Sequence, residues 1–252
     1  MKLNICHLYP DYMNIYGDNG NIICLTQRCE WRGIQAKLDQ VTIGQKINPD
    51  KHDIYFFGGG QDQQQIAVSS DLKETNGILL KKAAHENAVI FSVCGGYQLL
   101  GHYYQPEKGK ALFGVGLLDV ITVAGNKRMI GNIVIEVDKG ILSTTNCELS
   151  TKMVGFENHS GKTILGKGVK PLGKVLTGYG NNSNDKTEGA FAGTVFGCYL
   201  HGSVLPKNPH FADLLISKAL QRRYGQIKLK TLDDTIEWQA HNSAIARTRS
   251  RT

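Results

Sequence analysis

The segment from residue 88 to residue 100 constrains the fold more than any other part of the sequence. Residues 88–93 are apolar and rich in β-branched side chains, residues 94–96 read Cys-Gly-Gly, and residues 97–100 read Tyr-Gln-Leu-Leu, which resembles a helix start. A strand that is apolar at nearly every position is typical of a parallel sheet covered by helices on both faces. We therefore expect an α/β fold with Cys94 at a strand-to-helix corner.

The rest of the chain alternates short apolar runs with longer amphipathic ones, the order expected for a sheet flanked by helices. Further strands are predicted at residues 3–8, 36–41, 53–57 and 194–200, and helices at 19–32, 72–86 and 211–224. Shorter β segments are predicted at 114–123, 132–137 and 153–158, with a surface excursion at 143–152. Because no repeat or linker divides the chain, we expect a mainly parallel sheet in a single domain.

The charge of the chain is unevenly distributed: the 252 residues carry a formal net charge of +7, with much of the excess near the C-terminus. We divide the chain into a domain at residues 1–225 and a basic extension at 226–252, whose structure the pattern does not indicate. The extension is either a solvated tail or a surface that attracts an anionic partner. It lacks the features of a nucleic-acid-binding motif, so no nucleic acid is expected. No run approaches the ~20 apolar residues of a membrane span, and we expect a cytoplasmic protein.

The six cysteines are scattered and form no CxxC pair, so neither disulfides nor a metal site is expected. Four are interpreted as small buried apolar side chains: Cys6, Cys24, Cys29 and Cys198. Cys94 differs because a side chain at a strand end, just before a helix, lies among unpaired amide N–H groups that favour negative charge. The thiolate is the nucleophilic form of cysteine. Cys94 is therefore predicted to be a catalytic nucleophile.

Glycines at strand ends can supply backbone donors around the carbonyl that such a nucleophile attacks. A Gly-Gly-Gly run at residues 58–60 follows the strand predicted at 53–57, and Gly95 follows Cys94 directly. Backbone N–H groups aimed at a developing oxyanion stabilise the transition state. Gly59, Gly60 and Gly95 are the candidate donors.

A histidine that follows a predicted strand is the candidate base. Of the eight histidines, His201 has this position, in the Tyr-Leu-His-Gly sequence of residues 199–202. A neutral imidazole near pH 7 can accept the thiol proton and later protonate a leaving group. His159, in Glu-Asn-His-Ser-Gly at residues 157–161, is the second candidate.

Together these motifs resemble the class I glutamine amidotransferase family, and the Cys-Gly-Gly-Tyr-Gln and Tyr-Leu-His-Gly forms are similar to its cobyric acid synthase type. The resemblance continues through residues 17–25, 57–62, 133–136, 155–159 and 178–182, and weakens at 143–152 and after about residue 224. It implies a flavodoxin-like sheet flanked by helices. It also implies that a Cys-His pair, here Cys94 and His201, hydrolyses L-glutamine to glutamate and ammonia.

Within that class, the combined motifs resemble glutaminase subunits that work with a Mur-ligase-like subunit of the MurT type. The resemblance implies that ammonia passes to this partner, which uses ATP to amidate the D-glutamate α-carboxyl of lipid II in peptidoglycan synthesis. No cofactor is then expected in this chain, with ATP and Mg²⁺ on the partner, and the sequence has no GxxxxGK[ST] phosphate loop. Contact with the membrane would be peripheral, through lipid II.

The resemblance assigns one further residue and leaves one role unfilled. Arg128 matches an arginine that holds the glutamine substrate, and a guanidinium can bind an α-carboxylate at two points. Lys127 is the alternative cation. Most class I members have a glutamate two residues after the histidine, where this chain has Ser203. The resemblance implies that an aspartate of the partner supplies this acid, so we expect the isolated chain to be a poor glutaminase.

Two alternatives stay open at the level of sequence. One is a glutaminase component of another amide-forming ligase, such as the cobyrinate type, which would use the same catalytic residues. The other is a non-catalytic binding or scaffolding subunit in which Cys94 is a redox-sensitive thiol.

Overall fold

The chain folds into a parallel sheet flanked by helices, joined to a second, mostly antiparallel sheet. A computed structural model of the chain describes residues 1–137, 139–142 and 151–249. The first sheet contains β1 (Lys2–Leu8), β2 (Gln35–Val41), β3 (Ile54–Phe57), β4 (Val89–Val93), β11 (Ala190–Ala192) and β12 (Val195–Cys198). Its order is β11-β12-β4-β3-β1-β2, and only the β11–β12 pair is antiparallel. The predicted α/β fold class is confirmed.

Helices pack on the sheets and connect many of the strands. They are α1 (Asn19–Glu30), α2 (Asp62–Asp71), α3 (Gly77–His85), α4 (Gly95–Leu100), α5 (Lys139–Leu142), α6 (Pro209–Tyr224) and α7 (Thr235–Arg249). A π-helical turn at Leu72–Asn76 joins α2 to α3. The sequence predicted only the second half of this unit, because α2 begins with the polar run Asp-Gln-Gln-Gln and lacks an apolar period. None of the helices described is long and apolar enough to cross a membrane.

Aromatic side chains fix the position of the central strands. β3 and β4 are buried at every position. The ring centroids of Phe56 and Phe91 lie 5.8 Å apart, and Phe211 of α6 lies 5.4 Å from Phe91 and 5.7 Å from Phe196. Burying one such side chain contributes about 1.5–3 kcal/mol. The carboxyl ends of β4 and β12 are therefore held against a rigid core.

The second sheet was only partly predicted. It contains β5 (Tyr103–Gln105), β6 (Leu112–Phe113), β7 (Val120–Val137), β8 (Lys152–Leu165), β9 (Gly173–Thr177) and β10 (Thr187–Glu188). The prediction of separate short segments at 114–123 and 132–137 was wrong, since residues 120–123 and all of 132–137 lie in the single strand β7. Polar residues at 125–128 hide this continuity, and the pairing of β7 with β8 is irregular there. Of the excursion predicted at 143–152, residues 143–150 lie outside the described residues.

The basic extension contains a docked helix. α7 packs against β7, β8 and the short 3₁₀ helix Leu205–Lys207. His241 Nδ1 lies 2.8 Å from the carbonyl oxygen of Lys207, and Trp238 stacks on His210 with ring centroids 5.2 Å apart. The division of the chain at residue 225 stays a prediction, but the described part of the extension is folded onto the body.

Candidate active site

The carboxyl ends of three neighbouring parallel strands form the site. β4 lies between β3 and β12. Cys94 follows β4, the glycine run at residues 58–60 follows β3, and His201 comes shortly after β12. The Cys94 N–H donates to the Cys198 carbonyl at 2.8 Å, which ties the corner to the neighbouring strand. Ligands bind at this edge in open α/β sheets because the loops there converge.

Cys94 has a strained backbone. Its φ is +50° and its ψ is −108°, a conformation that costs about 1–3 kcal/mol for a residue with a Cβ. The next turn is held firmly, since the Gly96 N–H donates to the Gly58 carbonyl at 3.0 Å. A Cβ at Gly96 would lie 2.5 Å from the Phe57 carbonyl oxygen, so only glycine permits this approach. The geometry is that of a nucleophile elbow between a strand and a helix.

His201 lies fully buried beside Cys94. Burial alone lowers the pKa of its imidazole, but the facing Cys94 sulfur and the carboxylate of Asp18 outweigh burial and raise this pKa to about 10. The Tyr16 ring packs against it in a T-shaped arrangement, with ring centroids 5.0 Å apart. A protonated imidazole beside a thiolate is the resting pair of a cysteine nucleophile with a histidine partner.

Asp18 is a site residue that the sequence did not single out. Its Oδ1 lies 3.5 Å from His201 Nδ1, and both side chains are fully buried. Its Oδ2 accepts the Gly59 N–H at 2.7 Å. The Gly-Asp-Asn-Gly-Asn run at residues 17–21 was the available signal, because two glycines close to an aspartate indicate a tight loop.

The three candidate oxyanion glycines do not have equivalent surroundings. The prediction for Gly59 is corrected, because its N–H already donates to Asp18 and is not free for an oxyanion. The N–H groups of Gly60 and Gly95 donate to no other group in the described part of the chain. A Cβ at Gly95 would lie 2.9 Å from the Gly60 nitrogen. Glycine at position 95 therefore keeps the space beside both donors open.

Arg128 reaches the site from the second sheet. It lies in the strand β7. Its Nε donates to Asn158 Oδ1 at 2.5 Å, and its Nη2 donates to the Tyr16 hydroxyl at 3.3 Å. Tyr16 in turn contacts His201, so the Tyr16 side chain links the Arg128 guanidinium to the candidate base. Lys127 instead lies over the Tyr179 ring, 5.6 Å from its centroid.

The second histidine candidate is part of the core. His159 stacks on Tyr199 with ring centroids 3.6 Å apart, and its Nδ1 lies 2.8 Å from the Gly161 carbonyl oxygen. Burial lowers its pKa to about 4, so it stays neutral at physiological pH. Its contacts are with Tyr199, Gly161 and Glu157, whereas Cys94 faces His201.

The other described cysteines are in environments that suppress the thiolate. Cys6, Cys29 and Cys198 are buried and Cys24 is partly buried. Burial raises the pKa of the Cys24 and Cys29 thiols to about 12. In the ranges that the structure describes, no group of three His, Cys, Asp or Glu side chains is placed to hold a metal ion.

A cysteine elbow and a strand-end histidine on a parallel sheet define the class I glutamine amidotransferase fold. Residues 4–209 match the family of CobB/CobQ-like glutamine amidotransferase domains. The GatD subunit of the glutamine-hydrolysing lipid II isoglutaminyl synthase of Streptococcus pneumoniae is 39% identical over 240 residues, 93% of this chain and 87% of the relative. That of Staphylococcus aureus is 38% identical over 246 residues, 98% and 96% of the two chains. The chain therefore belongs to the CobB/CobQ-like glutamine amidotransferases and, within them, to the GatD family.

Solved structures agree on the fold. The PurLQS structure of Thermotoga maritima superposes with a TM-score of 0.59 at 18% identity, covering 88% of this chain and 97% of that one. At this identity the likeness concerns the fold alone.

Proposed function

We propose that this chain hydrolyses L-glutamine to glutamate and ammonia, as the glutaminase subunit of a lipid II isoglutaminyl synthase. The observation that carries the proposal is the strained Cys94 elbow, beside His201 and close to the unengaged N–H groups of Gly60 and Gly95. The GatD relatives support it, because their names describe the glutamine-hydrolysing subunit of this synthase.

In the acylation half of the reaction, the Cys94 thiolate attacks the side-chain amide carbon of glutamine. The carbonyl oxygen becomes an oxyanion, which the N–H groups of Gly60 and Gly95 stabilise. The His201 imidazolium donates its proton to the amide nitrogen as the C–N bond breaks. Ammonia leaves, and a γ-glutamyl thioester remains on Cys94.

In the deacylation half, His201 is neutral and accepts a proton from water. The resulting hydroxide equivalent attacks the thioester carbon, and the same two N–H groups stabilise the second oxyanion. The C–S bond breaks, glutamate leaves, and the thiolate and imidazolium are restored. Throughout, Arg128 holds the α-carboxylate of the substrate, for which its position on the β7 side of His201 is suited.

The ammonia passes to a MurT-type ligase subunit, which uses ATP and Mg²⁺ to amidate the D-glutamate α-carboxyl of lipid II. The support is that the two GatD relatives are named as subunits, so each functions within a larger assembly. In this division of labour the present chain needs no nucleotide or metal of its own.

Ammonia release from glutamine tests the hydrolysis. The Cys94→Ala variant, assayed with its ligase partner, is expected to lose activity by at least about 1,000-fold, because no nucleophile remains. The matched control Cys24→Ala, which removes a partly buried thiol, should keep wild-type turnover. Acid quenching should trap a γ-glutamyl group on the Cys94 peptide. Undiminished ammonia release by Cys94→Ala would refute the proposal.

Ammonia transfer needs a separate assay. The complex, with ATP and lipid II, should amidate lipid II from glutamine, and Cys94→Ala should abolish this amidation. Added ammonium chloride should restore amidation in that variant, because only the ammonia source is lost. If the complex uses ammonium but never glutamine, this chain does not feed the ligase.

A further inference from the structure

Gln65 is a buried amide that contacts the glycine run at residues 58–60. It lies near the start of α2 and is 3% exposed. Its Nε2 donates to the Gly60 carbonyl oxygen at 3.0 Å. Because only the nitrogen of an amide side chain can donate to a carbonyl, this contact fixes which end of the amide faces the glycine run. A polar side chain of α2 therefore holds the residue that carries an unengaged N–H group.

The other carbonyls of the glycine run are also occupied, but not equally well. The Gly58 carbonyl accepts the Gly96 N–H at 3.0 Å, and the Gly59 carbonyl accepts the Ile15 N–H at 3.3 Å. The longer of these two bonds belongs to the peptide unit that also contains the Gly60 N–H. Consecutive glycines have wide conformational freedom, so one long bond restricts the direction of this N–H only weakly. A further bond on the other side of Gly60 is needed to fix it.

The amide of Gln65 lies beside both candidate oxyanion donors. A Cβ at Gly95 would lie 2.9 Å from the Gly60 nitrogen and 3.0 Å from Gln65 Nε2, so these groups surround one small space at the elbow. Met13 packs against the same space, with its Cε 3.0 Å from that Cβ position. A thioether has no hydrogen to donate, so the amide of Gln65 supplies the directional contact there.

The oxygen of the same amide is unsatisfied. Gln65 Oε1 is buried and has no hydrogen-bond partner among the residues that the structure describes. Burying a polar atom without a partner is costly, and an apolar side chain of the same size would avoid that cost. Packing alone therefore does not explain a glutamine at this position. What the glutamine adds is the contact between its Nε2 and the Gly60 carbonyl.

We propose that Gln65 is a positioning residue for the oxyanion site: its Nε2 holds the Gly60 carbonyl and thereby keeps the Gly60 N–H directed to the same point as that of Gly95. This role rests on the hydrolysis proposed above, and Gln65 acts in it through Gly60, without contacting glutamine. Reactions of Cys94 that pass through an oxyanion then depend on Gln65, whereas reactions of the same thiolate without an oxyanion do not.

Two reactions of the Cys94 thiolate test this difference in the full chain alone. Acetyl transfer from p-nitrophenyl acetate forms a C–S bond through an oxyanion and releases p-nitrophenolate. Alkylation by iodoacetamide also forms a C–S bond but displaces iodide without an oxyanion. Gln65→Met should slow acetyl transfer to Cys94 by about tenfold or more and leave the alkylation rate within about twofold. Cys94→Ala, measured in parallel, gives the background of both reactions.

Glutamine hydrolysis by the complex with the ligase partner is the third assay. Gln65→Met should lower kcat by about tenfold or more and keep KM within about threefold, because the oxyanion forms only in the transition state. Gln65→Glu keeps the length of the side chain but presents an oxygen to the Gly60 carbonyl, so it should lose at least as much. Gln63→Met, the same substitution at an exposed position of α2, is the matched control and should keep wild-type rates in all three assays.

Two results overturn the role of Gln65. One is acetyl transfer by Gln65→Met within threefold of wild type. The other is an equal slowing of acetyl transfer and alkylation, which means that Gln65 supports the fold or the Cys94–His201 pair instead of the oxyanion site. If the wild-type complex releases no ammonia from glutamine, the proposed function fails, but the two reactions of the chain alone still decide whether Gln65 positions Gly60.

Discussion

At the scale of single residues, the site joins groups from both sheets. Cys94 and His201 follow strands of the first sheet, and Arg128 approaches from the second through Tyr16 and Asn158. In the reaction proposed here, different layers of the molecule would therefore hold the reacting amide and the α-carboxylate of glutamine. This separation allows binding and chemistry to be altered independently.

Replacing Arg128 by lysine should weaken substrate binding far more than chemistry. Lysine keeps the positive charge but cannot form a two-point contact with a carboxylate. The KM for glutamine should rise by about tenfold or more, with kcat changed by less than about threefold. Steady-state hydrolysis of glutamine measures both. Lys127→Ala is the neighbouring control and should leave KM within about twofold. A raised KM in Lys127→Ala together with an unchanged KM in Arg128→Lys would mean that Lys127 binds the α-carboxylate.

The sequence predicted Cys94 and His201 because each follows an apolar strand, and parallel strands end at a common edge. Asp18 could not be found in this way. It lies 183 positions before His201, and an aspartate just before a helix predicts an N-cap. The role of Gly59 could not be predicted either, because its N–H donates to the carboxylate of Asp18, a contact that the sequence does not reveal.

At the scale of secondary-structure elements, buried charges attach the C-terminal segment to the body. Arg28 of α1 is 1% exposed. Its Nε donates to Asp213 at 2.8 Å, and its two terminal nitrogens donate to Asp234 at 2.6 and 3.0 Å. Asp213 belongs to α6, and Asp234 immediately precedes α7. One guanidinium thus joins three helical regions.

The Arg28→Met substitution should lower the free energy of unfolding by about 3 kcal/mol, because it leaves the carboxylate of Asp234 without its ion-pair partner, while Asp213 keeps Arg32. Chemical denaturation followed by circular dichroism measures this change. Lys82→Met is the control, since Lys82 pairs with Asp50 at an exposed position and should show little effect. Equal stability of Arg28→Met and wild type would show that α7 is held by its apolar contacts alone.

The elements themselves were predictable where the apolar pattern was continuous. β1, β3, β4 and α6 agree with their predicted ranges to within about two residues. β7 was divided in two because Gly-Asn-Lys-Arg at residues 125–128 resembles a turn. Pairing with β8 on both sides of this run keeps the strand continuous, and local sequence does not contain that long-range pairing.

At the scale of the whole molecule, buried ionisable groups limit stability from both sides of the pH range. Burial lowers the pKa of His159 to about 4 and of His210 to about 3, from 6.5. Between these folded pKa values and 6.5, the unfolded chain binds more protons than the folded chain. The free energy of unfolding therefore falls as pH drops below about 6.5. Burial raises the pKa of Glu157 to about 7 and of Glu188 to about 8, from 4.5. Between pH 4.5 and these values the folded chain binds more protons than the unfolded chain. The contribution of the two glutamates to stability is therefore lost as pH rises above about 4.5 through pH 7–8.

The melting temperature should therefore be highest near pH 6 and decline in both directions. Glu188→Gln should flatten the decline between about pH 6 and pH 8, because the amide resembles the protonated acid and can still accept the Tyr199 N–H. Glu136→Gln, at an exposed position of β7, is the control and should keep the wild-type slope. Scanning calorimetry in buffers of constant ionic strength gives the profile. An alkaline slope unchanged by Glu188→Gln would exclude this carboxyl as its source.

The left-handed backbone at Cys94 makes folding stability and catalysis conflicting requirements at one position. Glycine adopts such a conformation freely, so a chain with glycine at position 94 would be relieved of strain of about 1–3 kcal/mol and would have no nucleophile. The substitution that would stabilise the fold at this position would therefore abolish catalysis. Only selection for the reaction itself retains a cysteine there, and part of the stability of the surrounding core serves to hold it in place.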